Sequence, residues 1–432
     1  MTNKTDTAIL RLALPSIIQN VTVPLLGLCD VAVMGHVGGA AHIGAIAVGS
    51  MIFNVMYWLF GFLRMGTSGL TSQALGARRL ADVGAMLRRG LLVGVGLGLV
   101  IVILQVPLRS LALALMRPTA DVARLCLPYY NICVWGAPAV LGLYALTGWY
   151  VGMQNTRLPM LIAVLQNVVN ILLSVSLVVA LGWGIRGVAL GTVVAQWVGF
   201  LTALLLLRRY YGPTLRRHPS PLSAVFSGLG RFFRLNLDIF LRTLCLVAVN
   251  LWFTSAGAAQ GALTLAANTL LMQFFMLFSY VMDGFAYAGE ALSGRLYGAR
   301  RTDELSRTVS RLFRIGWLVA IGFTAVYALA GPLLLRLLTT DADVVSHARR
   351  FLPWAVLIPL CGMAAFVWDG IFIGLTRSRA MLAACLLAAA AFFALWLALR
   401  PSLVNHALWL ALLVYLVLRG LVLAALYRRR KP

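Results

Sequence analysis

Long apolar stretches recur from one end of the 432-residue chain to the other. A run of about 20 apolar residues forms a helix that spans the hydrocarbon core of a bilayer. Hydrophobic residues make up 61% of the sequence and charged residues only 11%, whereas a typical soluble protein has about 25% charged residues. Strands of a transmembrane barrel would instead alternate in segments of about 10 residues, a pattern that the sequence lacks. The sequence therefore predicts an all-α integral membrane protein.

The apolar stretches predict twelve transmembrane helices. We place them near residues 8–34, 42–68, 85–107, 122–149, 158–181, 186–207, 235–256, 261–287, 308–331, 346–374, 380–399 and 403–427. A polar stretch with three prolines separates the sixth helix from the seventh and has room for a short interfacial helix.

The formal net charge of +24 follows the predicted topology. Basic residues concentrate in alternate loops and at both termini, including the pairs at 78–79, 88–89, 208–209, 216–217 and 300–301. Because cytoplasmic loops carry an excess of Lys and Arg, we expect both termini to be cytoplasmic. The basic excess is thus a topology signal. We expect the lipid bilayer as a partner and no binding of nucleic acid.

An internal repeat relates the two halves of the chain. The motif "GARR" occurs at 76–79 and again at 298–301, 222 positions later, and "YVGMQNTRLPML" (150–161) aligns with "FIGLTRSRAML" (372–382) at the same offset. One constant offset across several helices predicts a duplication of six helices.

We therefore predict two pseudo-symmetric six-helix lobes, an N-terminal lobe (1–207) and a C-terminal lobe (235–432), joined by a cytoplasmic linker (208–234). Parallel repeats of this kind place a substrate site between the lobes near the middle of the membrane. The architecture favours a transporter that works by alternating access. A duplicated channel is the other option, but the sequence has no filter motif such as TVGYG.

The first predicted helix carries an acid, Asp30, in an otherwise apolar run. An intramembrane acid is a functional-site hypothesis by default. Gln19 lies eleven residues earlier, about three helical turns, so the two side chains share a face. Pro15 removes a backbone donor from the same helix and allows it to bend. Because removal of water disfavours a charged carboxyl, an acid that alternates between wet and dry surroundings binds and releases protons.

Polar residues on the fifth and sixth helices are candidates to meet this acid. Asn167, Asn170 and Ser174 share one helix face, and Thr192 and Gln196 are four residues apart on the next helix. They line a polar cavity in the N-terminal lobe or form interhelical hydrogen bonds that only hold the bundle together.

The C-terminal lobe has a different set of polar residues. Asp238 and Arg242 stand four residues apart, a spacing that favours an ion pair. Asp283 and Glu290 are seven residues apart on one face of the eighth helix. The remaining candidates for this cavity are Asn268 and Asp369.

Motifs for catalysis or metal binding are absent from the sequence. The five histidines form no HExxH motif, and the six cysteines have no CxxC spacing. We expect no catalytic residue, no metal site and no cofactor, and hence no enzyme.

Five stretches carry a resemblance to a known family. They are "LALPSIIQNVTVPLLGLCDVAVMGH" (12–36), "FGFLRMGTSGLTSQALGARR" (60–79), "MDGFAYAGEALSGRLYGAR" (282–300), "WDGIFIGLTR" (368–377) and "NHALWLALLVYLVLRGL" (405–421). The chain resembles the multidrug and toxic compound extrusion (MATE) transporters, specifically the DinF subfamily. The resemblance implies a twelve-helix antiporter of the bacterial cytoplasmic membrane that exports organic, often cationic, compounds against a proton or sodium gradient.

The resemblance also implies roles for single residues. Asp30 matches the acid of the family's first helix, which is proposed to be protonated, and Pro15 matches the proline whose bend responds to it. Asn170 matches an asparagine of the same cluster. Relatives often carry an aspartate one turn later, where this chain has Ser174. One carboxyl in the cluster favours a proton over sodium as the coupling ion.

The leading hypothesis is a monomeric, proton-coupled exporter of lipophilic or cationic small organic molecules. The alternative is a flippase or exporter of a lipid-linked or other anionic metabolite on the same fold. Arginines in the cavity would favour the alternative. The spans hold Arg64, Arg242 and Arg419, and we expect Arg64 and Arg419 to snorkel to the cytoplasmic edge.

Overall fold

The chain folds almost entirely into helices. The computed structural model describes residues 4–37 and 39–429. Those residues form sixteen α-helices and no β-strand. The helices are α1 (Lys4–Val37), α2 (Ala40–Leu59), α3 (Phe62–Gly76), α4 (Leu80–Ile103), α5 (Gln105–Met116), α6 (Ala120–Cys133), α7 (Ala137–Gly152), α8 (Arg157–Val175), α9 (Gly184–Arg217), α10 (Leu222–Ser227), α11 (Leu229–Ala258), α12 (Ala262–Gly298), α13 (Thr302–Leu338), α14 (Ala342–Gly374), α15 (Ser378–Leu403) and α16 (Asn405–Arg429).

The membrane-spanning helices agree with the predicted fold class. Eleven stretches of the described chain are long and apolar enough to cross a membrane, and three of them join two helices: α2 with α3, α6 with α7, and α10 with α11. α1 adds a helix of 34 residues, about 50 Å long at 1.5 Å per residue, against about 30 Å of hydrocarbon. The predicted all-α integral membrane protein is confirmed, with eleven or twelve apolar helices.

The predicted linker is more helical than its prolines suggested. α9 continues to Arg217, well beyond its predicted end, and α10 and α11 cover most of the remaining linker. Arg216 and Arg217 lie in the last turn of α9, where cations interact favourably with the helix dipole. This interaction favours extension of α9 into the basic stretch.

The chain divides into two compact units. Unit 1 contains the residues up to Ile17 and those from Arg234 onward, and unit 2 contains Ile18–Phe233. The units differ from the predicted lobes at two segments, since the first part of α1 belongs to unit 1 and the linker belongs largely to unit 2. The lobe boundaries drawn from the sequence stay a prediction.

The internal duplication is visible in the backbone of the two units. Arg78 and Arg300, 222 residues apart, both have φ of 57°, and Gln154 (φ 62°) is matched by Thr376 (φ 53°) at the same offset. Positive φ is uncommon in residues other than glycine. Two such residues recurring at their equivalent positions confirm the offset that the sequence predicted.

Equivalent glycines allow equivalent helix crossings. An added Cβ at Gly148, on α7, would overlap the carbonyl oxygen of Arg64 on α3. At the positions 222 later, a Cβ at Gly370 would overlap the carbonyl oxygen of Ala286. The duplicated glycines therefore permit the same close backbone approach in each unit.

Candidate functional site

Asp30 is buried within unit 2 and contacts helices α8 and α9. Its exposed fraction is 2%. Ser174 Oγ, on α8, donates to Asp30 Oδ1 at 3.3 Å, and Thr192 Oγ1, on α9, lies 3.3 Å from Oδ2. The polar helix face predicted from the sequence therefore contacts Asp30, through Ser174.

A glycine brings the two hydroxyl-bearing helices together. A Cβ added to Gly191, next to Thr192 in the chain, would stand 2.8 Å from Ser174 Oγ and 3.0 Å from the Ser174 backbone nitrogen. Only a residue without a side chain allows α9 to approach α8 so closely at this level. The close approach allows both hydroxyls to reach one carboxyl group.

The hydroxyl of Thr192 has two acceptors for its single proton. Its Oγ1 lies 3.0 Å from the carbonyl oxygen of Val188 and 3.3 Å from Asp30 Oδ2. Asn170 Nδ2 donates to the same Oγ1 at 3.0 Å. The Asn170 carbonyl oxygen is buried without a hydrogen-bond partner in the described part of the chain. Thr192 can therefore donate to the carboxylate, or turn to Val188 and accept a proton from a neutral carboxyl.

The other predicted members of this cluster lie around it without a direct hydrogen bond to Asp30 among the described residues. Asn167 Nδ2 donates to the backbone carbonyl of Thr22 on α1 at 2.8 Å. The side-chain carbonyl oxygens of Gln19 and Gln196 are buried and have no partner among the described residues. Pro15 is buried in α1, which continues as one helix through it.

Unit 1 contains a buried cluster of opposite character. Asp369, on α14, accepts at Oδ2 from both Arg242 of α11 and Arg419 of α16. The three residues are 5–7% exposed. One carboxylate between two guanidinium groups leaves a formal charge of +1. Nε of Arg242 is buried and lacks a hydrogen-bond partner in the described chain.

This cluster corrects two expectations. Arg242 pairs with Asp369 rather than with Asp238, whose Oδ2 accepts a hydrogen bond from Ser378 Oγ at 2.7 Å. Arg419 does not snorkel, because it is buried and bonded to the same carboxylate. Arg64 is likewise 9% exposed within the protein. A local spacing rule cannot foresee that a carboxylate from another helix competes for the arginine.

The remaining candidates of unit 1 occupy α12 and its neighbours. Asn268 exchanges two amide hydrogen bonds with Asn405, at 2.9 and 3.0 Å, and accepts a third from Trp409 Nε1 at 2.9 Å. These bonds tie α12 to α16. Glu290 is 1% exposed and Asp283 is half-buried, both on α12.

The sequence did not predict three partners on α16. They are Arg419, which binds Asp369, and Asn405 and Trp409, which bind Asn268. Their signal was their position inside the last apolar span, where polar groups face other helices rather than lipid.

The fold and these two clusters define a class of protein. A multi-pass helical bundle with an internal duplication, buried ionisable groups and no stretch of strand in its described residues has the construction of a secondary transporter.

Comparisons with known proteins specify the class. The MatE family model matches residues 15–176 and 237–397, one stretch in each half of the chain. DNA damage-inducible protein F of Escherichia coli (strain K12) is 40% identical over 430 residues, which cover 98% of this chain and 92% of that protein. Multidrug and toxin extrusion protein 1 of Oryctolagus cuniculus is 25% identical over 360 residues, covering 80% of this chain and 61% of that protein.

Solved structures share the fold over nearly the whole chain. A MATE transporter in the bent conformation superposes with a TM-score of 0.88 at 21% identity, over 99% of this chain and 96% of that one. An outward-facing multidrug resistance MATE transporter gives a TM-score of 0.83 at 20% identity, with the same coverage. The chain belongs to the MatE family, the multidrug and toxic compound extrusion transporters. It is a multi-pass membrane transporter for small organic compounds and not an enzyme.

Proposed function

We propose that the protein is a secondary antiporter that exports lipophilic or cationic organic compounds, driven by proton influx through Asp30. The observation that carries the proposal is the set of partners around this carboxyl: two hydroxyls and an amide, all uncharged. Hydroxyls both donate and accept, so they accommodate the carboxyl group in either protonation state.

Each protonation state has its own pattern of hydrogen bonds. When Asp30 is charged, Ser174 and Thr192 donate to its two oxygens. When it is neutral, its own O–H donates to Thr192, whose proton turns to the Val188 carbonyl 3.0 Å away. The exchange rearranges contacts between α1, α8 and α9. We propose that this rearrangement, with bending of α1 near Pro15, switches the transporter between its inward-facing and outward-facing states.

The same partners favour a proton over sodium. A hard cation binds through several oxygen ligands, which include carboxylates and carbonyls. Asp30 supplies one carboxylate, and the amide group that faces Thr192 is the NH2 of Asn170, a donor. Ser174 occupies the place where relatives often have a second acid. A cluster with one carboxylate, whose partners can reverse their hydrogen bonds, is better suited to a proton than to a cation.

Transport assays with separately imposed gradients test the proposal. In proteoliposomes, export of an organic cation should follow a pH gradient in the absence of sodium. Asp30→Asn should insert and fold like the parent protein yet lose gradient-driven export, because an amide cannot carry the proton. A strict requirement for sodium would reverse the choice of ion. Unchanged export by Asp30→Asn would refute the role of this carboxyl.

One observation favours a second candidate function. The buried cluster of Arg242, Asp369 and Arg419 is formally positive, and its donor Arg242 Nε has no hydrogen-bond partner among the described residues. Because Arg419 is buried in this cluster, the case against an anionic cargo is weaker than the sequence suggested. The alternative is therefore export or flipping of an anionic metabolite on the same fold, tested by adding bile-salt-like anions to the assay.

We also propose that the protein acts as a monomer in the bacterial cytoplasmic membrane, with both termini cytoplasmic. The distribution of Lys and Arg supports this orientation, and the similarity to a protein of Escherichia coli supports a bacterial membrane.

A further inference from the structure

A buried arginine on α4 holds the linker that leads into α11. Arg89 is 3% exposed. Its Nε donates to the Val225 carbonyl at 2.9 Å and its Nη2 to the Ala224 carbonyl at 2.6 Å. The neighbouring Arg88 donates to the Ser220 carbonyl at 2.8 Å. The last carbonyls of a helix lack internal partners and carry partial negative charge, so the guanidinium binds the C-terminal end of α10.

The linker is shaped to receive this side chain. A Cβ added at Gly228, immediately after α10, would overlap the guanidinium group of Arg89. A buried guanidinium is costly unless its donors are satisfied. Three backbone-directed bonds from two adjacent arginines therefore fix the segment that precedes α11 onto α4, inside unit 2.

The duplication places a second contact at the equivalent positions. Residue 311, 222 after Arg89, is Arg311 on α13, and residue 228 corresponds to Asp6 at the start of α1. Arg311 Nη1 lies 3.4 Å from Asp6 Oδ2, with the side chains 34% and 23% exposed. Both residues belong to unit 1. The arginine is kept in both halves, while its acceptor is backbone in one half and a carboxylate in the other.

Each arginine thus holds the leading end of the first helix of the other half. Arg89, in the first half, holds the segment before α11. Arg311, in the second half, holds the first turn of α1, the helix that carries Asp30 into unit 2. We propose that Arg311 and Arg89 are positioning residues of the transport cycle, which anchor the leading ends of α1 and α11 so that rearrangement around Asp30 bends a held helix. The role in transport rests on the proposed function; the anchoring does not.

Limited proteolysis tests the anchoring without transport. Trypsin sites flank both contacts: Lys4 and Arg11 beside Asp6, and Arg217 and Arg231 beside α10. Cleavage follows the population of locally opened states. In the purified full-length protein, Arg311→Gln should speed cleavage at Lys4 and Arg11 by about two- to five-fold, as expected for a partly exposed ion pair. It should leave the linker sites unchanged.

The second anchor should give the opposite pattern. Arg89→Gln should speed cleavage at Arg217 and Arg231 by about tenfold or more, because it removes buried bonds to carbonyls, and should leave Lys4 and Arg11 unchanged. If Arg89→Gln does not fold, Arg88→Gln removes the bond to Ser220 alone and should give a smaller increase at the linker. Equal rates in all variants, or the same change at both segments, would overturn the proposal.

Export kinetics test the positioning role. Arg311→Gln and Asp6→Asn should each lower the maximal rate of gradient-driven export by about two- to five-fold, with the apparent KM for cargo unchanged. The charge exchange Asp6→Arg with Arg311→Asp should restore the rate. Arg314→Gln, an exposed arginine one turn along α13, is the matched control and should export normally. A raised KM, or no rescue by the exchange, would contradict the role while leaving the cleavage pattern to report on the anchors.

Discussion

Two buried aspartates in this protein have the same side chain and different chemistry, which their neighbours determine. Asp369 is bonded to two arginines, whose guanidinium groups are suited to buried ion pairs with a carboxylate. Among the described residues, the partners of Asp30 are uncharged: the hydroxyls of Ser174 and Thr192, with the amide of Asn170 beside them. Neutral partners that reverse the direction of their hydrogen bonds allow a carboxyl to change its protonation state.

Thr192 is the residue whose hydroxyl the proposed exchange requires. Thr192→Val keeps the shape of the side chain and removes the hydroxyl, which leaves the amide of Asn170 and one oxygen of Asp30 without their partner. An unsatisfied buried polar group costs about 1–3 kcal/mol, so we expect export to slow by about tenfold. Thr192→Ser keeps the hydroxyl and should stay within about two-fold of the parent rate. Initial rates in proteoliposomes under one pH gradient measure both, and equal rates for Val and Ser would count against the exchange.

Sequence periodicity predicted the Asp30 cluster better than the Asp369 cluster, for a physical reason. Spacing along one helix determines which side chains share a face, and Asn170 and Ser174 do share one. It does not determine which other helix lies opposite. Arg242 has an acid four residues away, yet it pairs with Asp369, 127 residues later. The choice between these acids depends on tertiary packing, which no local pattern contains.

At the scale of elements, hydropathy predicted where the helices lie but not where they end. The apolar runs predicted the spans because hydrocarbon thickness sets a minimum length. The helices extend further, as α12 and α13 do with 37 residues each, because nothing at the membrane surface obliges a helix to stop. They end where backbone geometry ends them, as at Arg78 and Arg300 with their positive φ.

The turns at these two arginines allow a test of the proposed orientation. If both termini are cytoplasmic, the turns after α3 and α12 lie on the cytoplasmic side, and the turn before α14 lies on the other. Cysteines introduced as Arg78→Cys and Arg300→Cys should react with a membrane-impermeant thiol reagent only in inverted vesicles. Asp341→Cys should react only in right-side-out vesicles. The unsubstituted protein corrects for its own thiols. Labelling of Arg78→Cys and Arg300→Cys from opposite sides would refute the parallel repeat.

At the scale of the whole molecule, the two halves share their helix-packing positions but differ in their buried ionisable residues. The close helix contacts at Gly148 and Gly370 are equivalent in the two halves. The ionisable groups are not, because the offset of 222 sets Asp30 against Trp252 and Thr147 against Asp369. In unit 2, Asp30 is therefore buried beside neutral partners, whereas in unit 1, Asp369 is buried between two arginines. On the proposed function, the proton binds in one unit, and on the second candidate function, the charge of the cargo is sensed in the other.

Cargo charge is the property that distinguishes the two candidate functions. Matched cargo pairs, such as a bile-salt-like carboxylate and its neutral amide, isolate charge from shape. If the cluster in unit 1 binds anions, the carboxylate should be exported in preference, and Arg419→Gln should raise its apparent KM about tenfold, since a hydrogen bond to a charged group is worth about 1.5–3 kcal/mol. The KM for the amide should not change. Arg400→Gln, an exposed arginine at the end of α15, controls for loss of surface charge. The contrary result is export of organic cations alone, with no effect of Arg419→Gln on the export of any anion. It would indicate that the cluster has a structural role and that the cargo is cationic.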